Sequence, residues 1–448
     1  MLVAWHNQSS SHCPPPPGCI PSETEWHAAA REGPPPARTK TVALGAWAPM
    51  PRASALLLLL LSLLSPAPSL SCTNASSCTY AGACVASACV CAPGYIGATC
   101  SLLGNSTPIP LASGFRLPDY HVWGSQVAYD SADGQYHMAA SIYPAALPFL
   151  SSWLYTATIA TARSPTPLGP YTLDVLAALP QGGEAAPDRN VMNPKLLRAP
   201  GQPALWLLFY TGNSYAGPTP SPGGAPLPHN QSLAQASQQL FLATAPSPSG
   251  PFARHGGAPA LAPRPGQWDA RIISNVAVAP FGGGNESLLA VYKSSSPAGA
   301  GTAQTRVCLG VAYAPRWDAP FQRLSDDPIL PCPEDSFYSE DPTLWRGPDG
   351  VFHLVFKDFV GHWTHAGYSG AHATSADGGA TWVLAAPPLA YTTTHAWGDG
   401  RVRRQHSQER AQVLLNESDG QPLAMFYATD TELDGSTAKT WNMAVPAR

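Results

Sequence analysis

One pattern restricts the possible folds of this chain more than any other. From about residue 118 a short apolar segment, a Gly- or Asp-rich turn and a second apolar segment recur five times. The first segments are SQVAYDSADG (125–134), NPKLLRAPG (193–201), SNVAVAPFGG (274–283), EDPTLWRGPDG (340–350) and ERAQVLLNESDG (409–420). The second are GQYHMAASIYP (134–144), ALWLLFYTGNS (204–214), SLLAVYKSS (287–295), GVFHLVFKDFVG (350–361) and QPLAMFYATD (421–430). Each pair reads as a β-hairpin. A third pattern follows four of them: TIATARSPTPLGPYTL (158–173), LFLATAPSPSGPFAR (240–254), CLGVAYAPRWDAPFQR (308–323) and AGAHATSADGGATWVL (370–384). It has a small-residue strand, a turn, and then Tyr171, Phe252, Phe321 or Trp382 opening a last strand. Four-stranded units repeated at about 60–80 residues predict a β-propeller, here with five blades. No helical period of useful length appears, which argues against a TIM barrel or a doubly wound sheet. The expected fold is all-β, with the propeller spanning 118–448.

Composition fits that reading. The 50 prolines and 39 glycines fall as turn clusters between apolar runs, as in a loop-rich β protein. Only 12% of residues are charged and the net charge is −4, so no concentrated basic face is available for nucleic acid. Residues 1–49, with PPPP and PPP tracts, have no periodicity and read as disordered or as an upstream-start extension. Residues 50–71 (MPRASALLLLLLSLLSPAPSLS) combine a start residue, one Arg, an apolar block and small residues, the three parts of a secretory signal peptide. The block is shorter than the roughly 20 residues that span a bilayer. On this reading translation starts at Met50, the mature chain starts at about Cys72, and the protein is secreted without a membrane span. A start at Met1 would leave the block as a short internal anchor.

Six of the ten cysteines crowd into residues 72–100, at Cys72, Cys78, Cys84, Cys89, Cys91 and Cys100. That density implies a disulfide framework in an oxidising compartment. The ending C-x-C-x-x-G-Y-x-G-x-x-C resembles an epidermal-growth-factor-like module. The resemblance implies the pairs Cys72–Cys84, Cys78–Cys89 and Cys91–Cys100, and a module that contacts extracellular protein or glycan. Calcium-binding versions carry acids before the first cysteine; Ser69–Ser71 stands there, so no calcium is expected. Residues 101–117 read as a linker. Cys308 and Cys332 are available for one further bridge. Sequons at Asn74, Asn105, Asn230, Asn285 and Asn416 offer glycan sites.

In a propeller the first strand of each blade lines the axis, so the residues that open it converge on one mouth. Here those positions are Trp123–Gly124, Asn193, Asn275, Glu340–Asp341 and Glu409–Arg410. Asp119, Asp188 and Asp269 precede three of them by five or six residues. Asp and Asn also cap turns, so each acid alone has a structural reading as well. Strand alternation would send Glu340 and Asp341 opposite ways.

The lead-ins WGS, RNVMNPK, ISNVAV, SEDPTLW and QERAQV, with the GPY/GPF turns and VFKD, resemble the five-bladed propeller glycoside hydrolases, close to family 43 and its fructosidase-type relatives. The similarity covers about 118–445. It implies hydrolysis of furanosides or related sugars by three axial carboxylates: an acid that protonates the leaving oxygen, a base or nucleophile, and a third group that tunes the acid. Carried onto this sequence, Glu409 is the general acid and Asp341 the orienting group. Asp188 or Asp269 is the base, and Glu340 competes with Glu409 and Asp341. Asn193, Asn275, Trp123 and Arg410 bind sugar, Trp123 by stacking. The family's usual first-blade Asp is replaced by Gly124. The same propeller is therefore also read as a carbohydrate-binding or adhesion protein without catalysis. No HExxH or similar spacing appears, so neither metal nor cofactor is expected. His406, in RRQHSQER, is placed to reach the mouth with Arg403 or Arg404 and meet an acidic sugar or phosphate. Lys293 and Lys357 end the second strands of two blades at matched positions.

Overall fold

A computed structural model describes residues 71–104, 107–147, 149–219, 221, 233–282, 286–295, 307–332, 339–431 and 439–448. The extension 1–49, the signal segment apart from Ser71, and the sequons Asn105, Asn230 and Asn285 lie outside them.

The N-terminal module is two small hairpins. β1 (Gly82–Val85) pairs with β2 (Ala88–Cys91), and β3 (Tyr95–Ile96) pairs with β4 (Leu102–Leu103). The β1–β2 turn holds Ala86 and Ser87 at φ 48° and 63°, the left-handed pair a two-residue hairpin needs. Disulfides join Cys72–Cys84, Cys78–Cys89 and Cys91–Cys100, the pairs that the module resemblance implies, and a fourth joins Cys308–Cys332. In so small a unit each bridge contributes about 2–4 kcal/mol. The module packs on the propeller. Gly94 sits at φ 90°, and a Cβ there would come within 2.5 Å of the Pro422 carbonyl oxygen, so this turn accepts only glycine.

The propeller has five blades. Blade I is β5 (Tyr120–Asp130), β6 (Gln135–Pro144), β7 (Thr158–Ser164) and β8 (Thr172–Leu179). Blade II is β9 (Asn190–Ala199), β10 (Gln202–Asn213), β11 (Gln239–Ala245) and β12 (Ala253–Arg254). Blade III is β13 (Ile272–Pro280), β14 (Leu288–Ser295), β15 (Val307–Ala314) and β16 (Gln322–Arg323). Blade IV is β17 (Ser339–Arg346), β18 (Phe352–Asp358), β19 (Ser369–Ser375) and β20 (Val383–Tyr391). A small hairpin, β21 (Thr394–Ala396) with β22 (Val402–Arg404), precedes blade V: β23 (Glu409–Leu415), β24 (Pro422–Thr429) and β25 (Trp441–Pro446). Pairing within each blade is antiparallel and sequential. Blade V has three strands of its own, which is why the third sequence pattern appears only four times. Its outer edge is closed by Phe115, whose N–H and C=O both bond Asn442. The expected linker is thus tied at three points: β4 to β3, Ile109 to Trp397, and Phe115 to Asn442.

Five buried clusters fill the five seams between neighbouring blades. On β10, Leu207 and Phe209 face blade III while Trp206, Leu208 and Tyr210 face blade I. With both faces of the strand covered, the run reads as continuously apolar rather than alternating. The repeated aromatics Tyr171, Phe252, Phe321 and Trp382 are all buried at the start of their outer strands, and the first three bond backward to the preceding segment.

One helix was not anticipated: α1 (Phe149–Thr156), between β6 and β7. Eight residues are about two turns, too few for a helical period to stand out. Together with Trp123, Tyr143 and Met192 it forms a sixth cluster, over the mouth side of blades I and II.

Candidate active site

Each innermost strand breaks its pairing at the same place. The register slips past Gly124, past Asn193–Pro194, and between Ser274 and Ala277, Glu340 and Thr343, and Glu409 and Gln412. Each slip contains one left-handed residue: Gly124 (φ 65°), Asn193 (52°), Asn275 (48°), Asp341 (54°) and Arg410 (55°). These are five equivalent β-bulges, which re-aim a side chain toward the axis. Gly, Asn and Asp tolerate this backbone. Arg410 does not favour it, and is held by its N–H bond to Asp341 Oδ2 at 3.0 Å.

The five residues form a ring. Asn193 Nδ2 donates to Asn275 Oδ1 at 2.8 Å, and Asn275 Nδ2 donates to Asp341 Oδ1 at 2.6 Å. The Arg410 guanidinium donates to the same Asp341 oxygen. Gly124 closes the circle; a Cβ there would lie 3.4 Å from Arg410 Cγ and 3.5 Å from Asn193 Oδ1. The cavity left at the ring is about 10 Å³, at most one water.

On the mouth side of this ring lies a buried charge cluster from blades III, IV and V. Lys357 Nζ donates to Glu409 Oε1 at 2.7 Å and to Glu340 Oε1 at 3.2 Å, and Lys293 Nζ donates to Glu340 Oε2 at 3.1 Å. The alternation expected for Glu340 and Asp341 does not hold. The left-handed bulge at Asp341 cancels it, and one oxygen each of Glu340, Asp341 and Glu409 lie within 4.8 Å of one another. Such an oxygen trio has the geometry of a cation site; the ammonium of Lys357 fills that role between Glu340 and Glu409.

The neighbouring carboxyls are driven apart. Burial pushes Glu340 up, but Lys293, Lys357 and Arg410 more than offset it and hold the group well below the usual carboxylate range. Burial pushes Asp341 up; Arg410 opposes, while Glu340 and Glu409 add to the rise, and the group ends above its ordinary value. Burial would push Lys357 down, yet Glu409, Glu340 and Asp341 hold its ammonium above the usual lysine value. Opposed shifts on adjacent titratable groups are a common mark of functional sites.

The oxygens of the trio differ in what remains to them. Both Glu340 oxygens are held by lysines, and both Asp341 oxygens accept bonds from Arg410 or Asn275. Glu409 Oε1 is held by Lys357, whereas Oε2 takes part in no hydrogen bond among the described residues. Glu409 is also the most exposed of the three side chains, at 11% against 5% and 0%.

The remaining expectations divide. Asp188 and Asp269 are not brought to this cluster. Asp188 Oδ2 accepts from Tyr210 Oη at 2.5 Å and Arg254 Nε at 2.6 Å. Asp269 Oδ2 accepts from Tyr292 Oη at 3.0 Å and Arg323 Nε at 2.8 Å, and its other oxygen from Arg264 at 2.9 Å. These are matching clamps: each ties the loop before an inner strand to a tyrosine on the second strand and an arginine on the outermost one. The base role expected of these aspartates has no support in this placement. Trp123 is buried against Phe149 of α1, with ring centroids 4.7 Å apart, so it is not the open stacking platform expected. Asn193 and Asn275, expected as sugar contacts, bond each other within the ring, and Arg410, expected likewise, bonds Asp341. His406 is half-exposed and pairs with Asp430 at 2.8 Å, while Arg403 pairs with Asp399, so the two do not form one basic cluster. The clamp arginines were missed, although the recurrence of Arg two residues after Phe in GPFAR and APFQR was a visible signal.

Among solved structures, a family 117 glycoside hydrolase produced by the marine bacterium Zobellia galactanivorans matches with a TM-score of 0.52 at 13% identity, covering 76% of this chain and 90% of that one. An endo-arabinase from Bacteroides thetaiotaomicron matches at 13% identity and TM-score 0.46, covering 76% of this chain and 97% of that one. A thermostable family-43 glycoside hydrolase matches at 12% identity and TM-score 0.45, with coverages of 73% and 89%. At such identities the first match establishes a shared fold. No family model and no curated protein matches the sequence.

Proposed function

We propose that this chain is a secreted glycoside hydrolase that acts on furanoside-type carbohydrate at the mouth of the propeller axis, with Glu409 as the carboxyl that reaches the glycosidic oxygen. The observation that carries this reading is the free Oε2 of Glu409 beside carboxylates whose oxygens are all engaged. Glu409 delivers a proton to the leaving oxygen. Glu340, kept anionic by two lysines, supplies negative charge near the developing oxocarbenium ion. Asp341 fixes Arg410 and the ring beneath. With both oxygens of Glu340 and of Asp341 engaged, neither carboxylate attacks the sugar. Water from the open mouth forms the new bond to the sugar carbon and gives its proton to solvent as the old bond breaks and the leaving oxygen takes the proton of Glu409. Four disulfides among the described residues support an oxidising destination, and no described helix is long and apolar enough to cross a membrane.

One observation favours a second reading, carbohydrate binding without cleavage: Gly124 leaves the first blade with no carboxylate in the ring. Aryl and natural furanosides, assayed with wild type and Glu409→Gln, separate the two. Turnover abolished by the substitution supports hydrolysis. Binding without turnover across the panel supports the second reading.

A further inference from the structure

Beyond the ring, on the face opposite the mouth, the axis opens into a cavity of about 490 Å³. Lys195, two residues past the ring position on β9, borders both this cavity and the small void at the ring. It is 7% exposed, and its ammonium takes part in no hydrogen bond or ion pair among the described residues. The acid whose charge acts on it, Asp341, already satisfies both oxygens with Arg410 and Asn275. A buried ammonium left this way is costly unless something else neutralises it.

The cavity wall adds to the imbalance. Arg198 and Arg346 line it, against the single acid Glu417. Arg198 is paired with Asp130. Arg346 is exposed, donates Nε to the Gly350 carbonyl at 3.1 Å, and has no carboxylate partner among the described residues. Two cations, one deep and one at the rim, thus face a space large enough for a monosaccharide-sized molecule.

We propose that this far-side cavity is a second ligand site, which takes a small oxyanion-bearing molecule with its carboxylate, sulfate or phosphate group on Lys195 and its other end toward Arg346. The site stands apart from the charge cluster at the mouth and does not depend on the hydrolase reading. Burial pushes the Lys195 ammonium down to about 7, with Arg410 adding to the fall and Asp341 opposing it. A bound oxyanion would favour the protonated form, so binding should take up protons near neutral pH.

The test is isothermal titration calorimetry of the full secreted chain with inorganic sulfate, inorganic phosphate and glucuronate, which separates the three anion classes. Wild type should bind at least one of them. Lys195→Met should weaken that binding at least tenfold, and Arg346→Ala should weaken it several-fold. No binding of any probe by wild type overturns the proposal, as does unchanged affinity in a folded Lys195→Met. If that variant does not fold, Arg346→Ala at an exposed position decides: weakening supports the site and unchanged affinity overturns it.

Discussion

Acid should loosen the seam between the disulfide-bonded module and blade IV, and a histidine pair sets the pH. His372 Nδ1–H donates to the Ser101 carbonyl at 2.9 Å, which makes its Nε2 the acceptor for His353 Nδ1–H at 3.1 Å. Both rings are buried beside Tyr95 and Trp345. A proton added to His372 would turn Nε2 into a second donor facing the first. Burial pushes His372 from 6.5 down to about 4, and holds His353 well below its ordinary value, with His372 adding to the fall. The unfolded chain therefore binds more protons than the folded one between these values. Stability is full above about pH 6.5 and falls as pH drops toward about 4. For His372 alone the loss is about 3 kcal/mol, at about 1.4 kcal/mol per unit. Urea unfolding with the disulfides intact, followed by tryptophan fluorescence from pH 7.5 to 4, measures it. His372→Gln keeps a donor for Ser101 without titrating, and its pH dependence should be smaller by about that amount. Equal slopes in the two proteins would refute the reasoning.

Three further outcomes are expected. Gly94→Ala should lower the thermal midpoint and speed proteolysis at the module seam, because its Cβ meets the Pro422 carbonyl oxygen. Lys357→Met should cost about 3–5 kcal/mol in denaturant melts, because it leaves Glu340 and Glu409 buried without their shared cation. Asp188→Asn and Asp269→Asn should each lower stability by about 1–3 kcal/mol through the lost arginine clamps. On any substrate turned over they should leave kcat within a few-fold, and a thousandfold loss would restore the base role to one of them.

The architecture was legible because a propeller repeats, and repetition lifts weak local signals above noise. The five lead-ins are legible to within a residue: Asn193 and Asn275 stand alone, and Gly124, Asp341 and Arg410 are the second members of their pairs in equivalent bulges. The orientation of side chains at those bulges was not legible. Alternation assumes a regular strand, and a single left-handed residue reverses it, which is how Asp341 came to lie beside Glu340. Asp188 and Asp269 looked axial by their distance from the lead-ins. Their partners, Arg254 and Arg323, lie 66 and 54 residues downstream on outermost strands, a pairing visible only once the blade is folded. The matched lysines of VYK and VFK were the better guide, since both converge on Glu340.

Glu409 is proposed as the acid catalyst at the axial mouth. The most direct measurement is the rate of furanoside hydrolysis by wild type and Glu409→Gln, using one aglycone that needs protonation and one that leaves unaided. Acid catalysis by Glu409 should give a loss of about 10²–10⁴-fold on the first and a much smaller loss on the second. Equal rates for the two proteins on both substrates would contradict it.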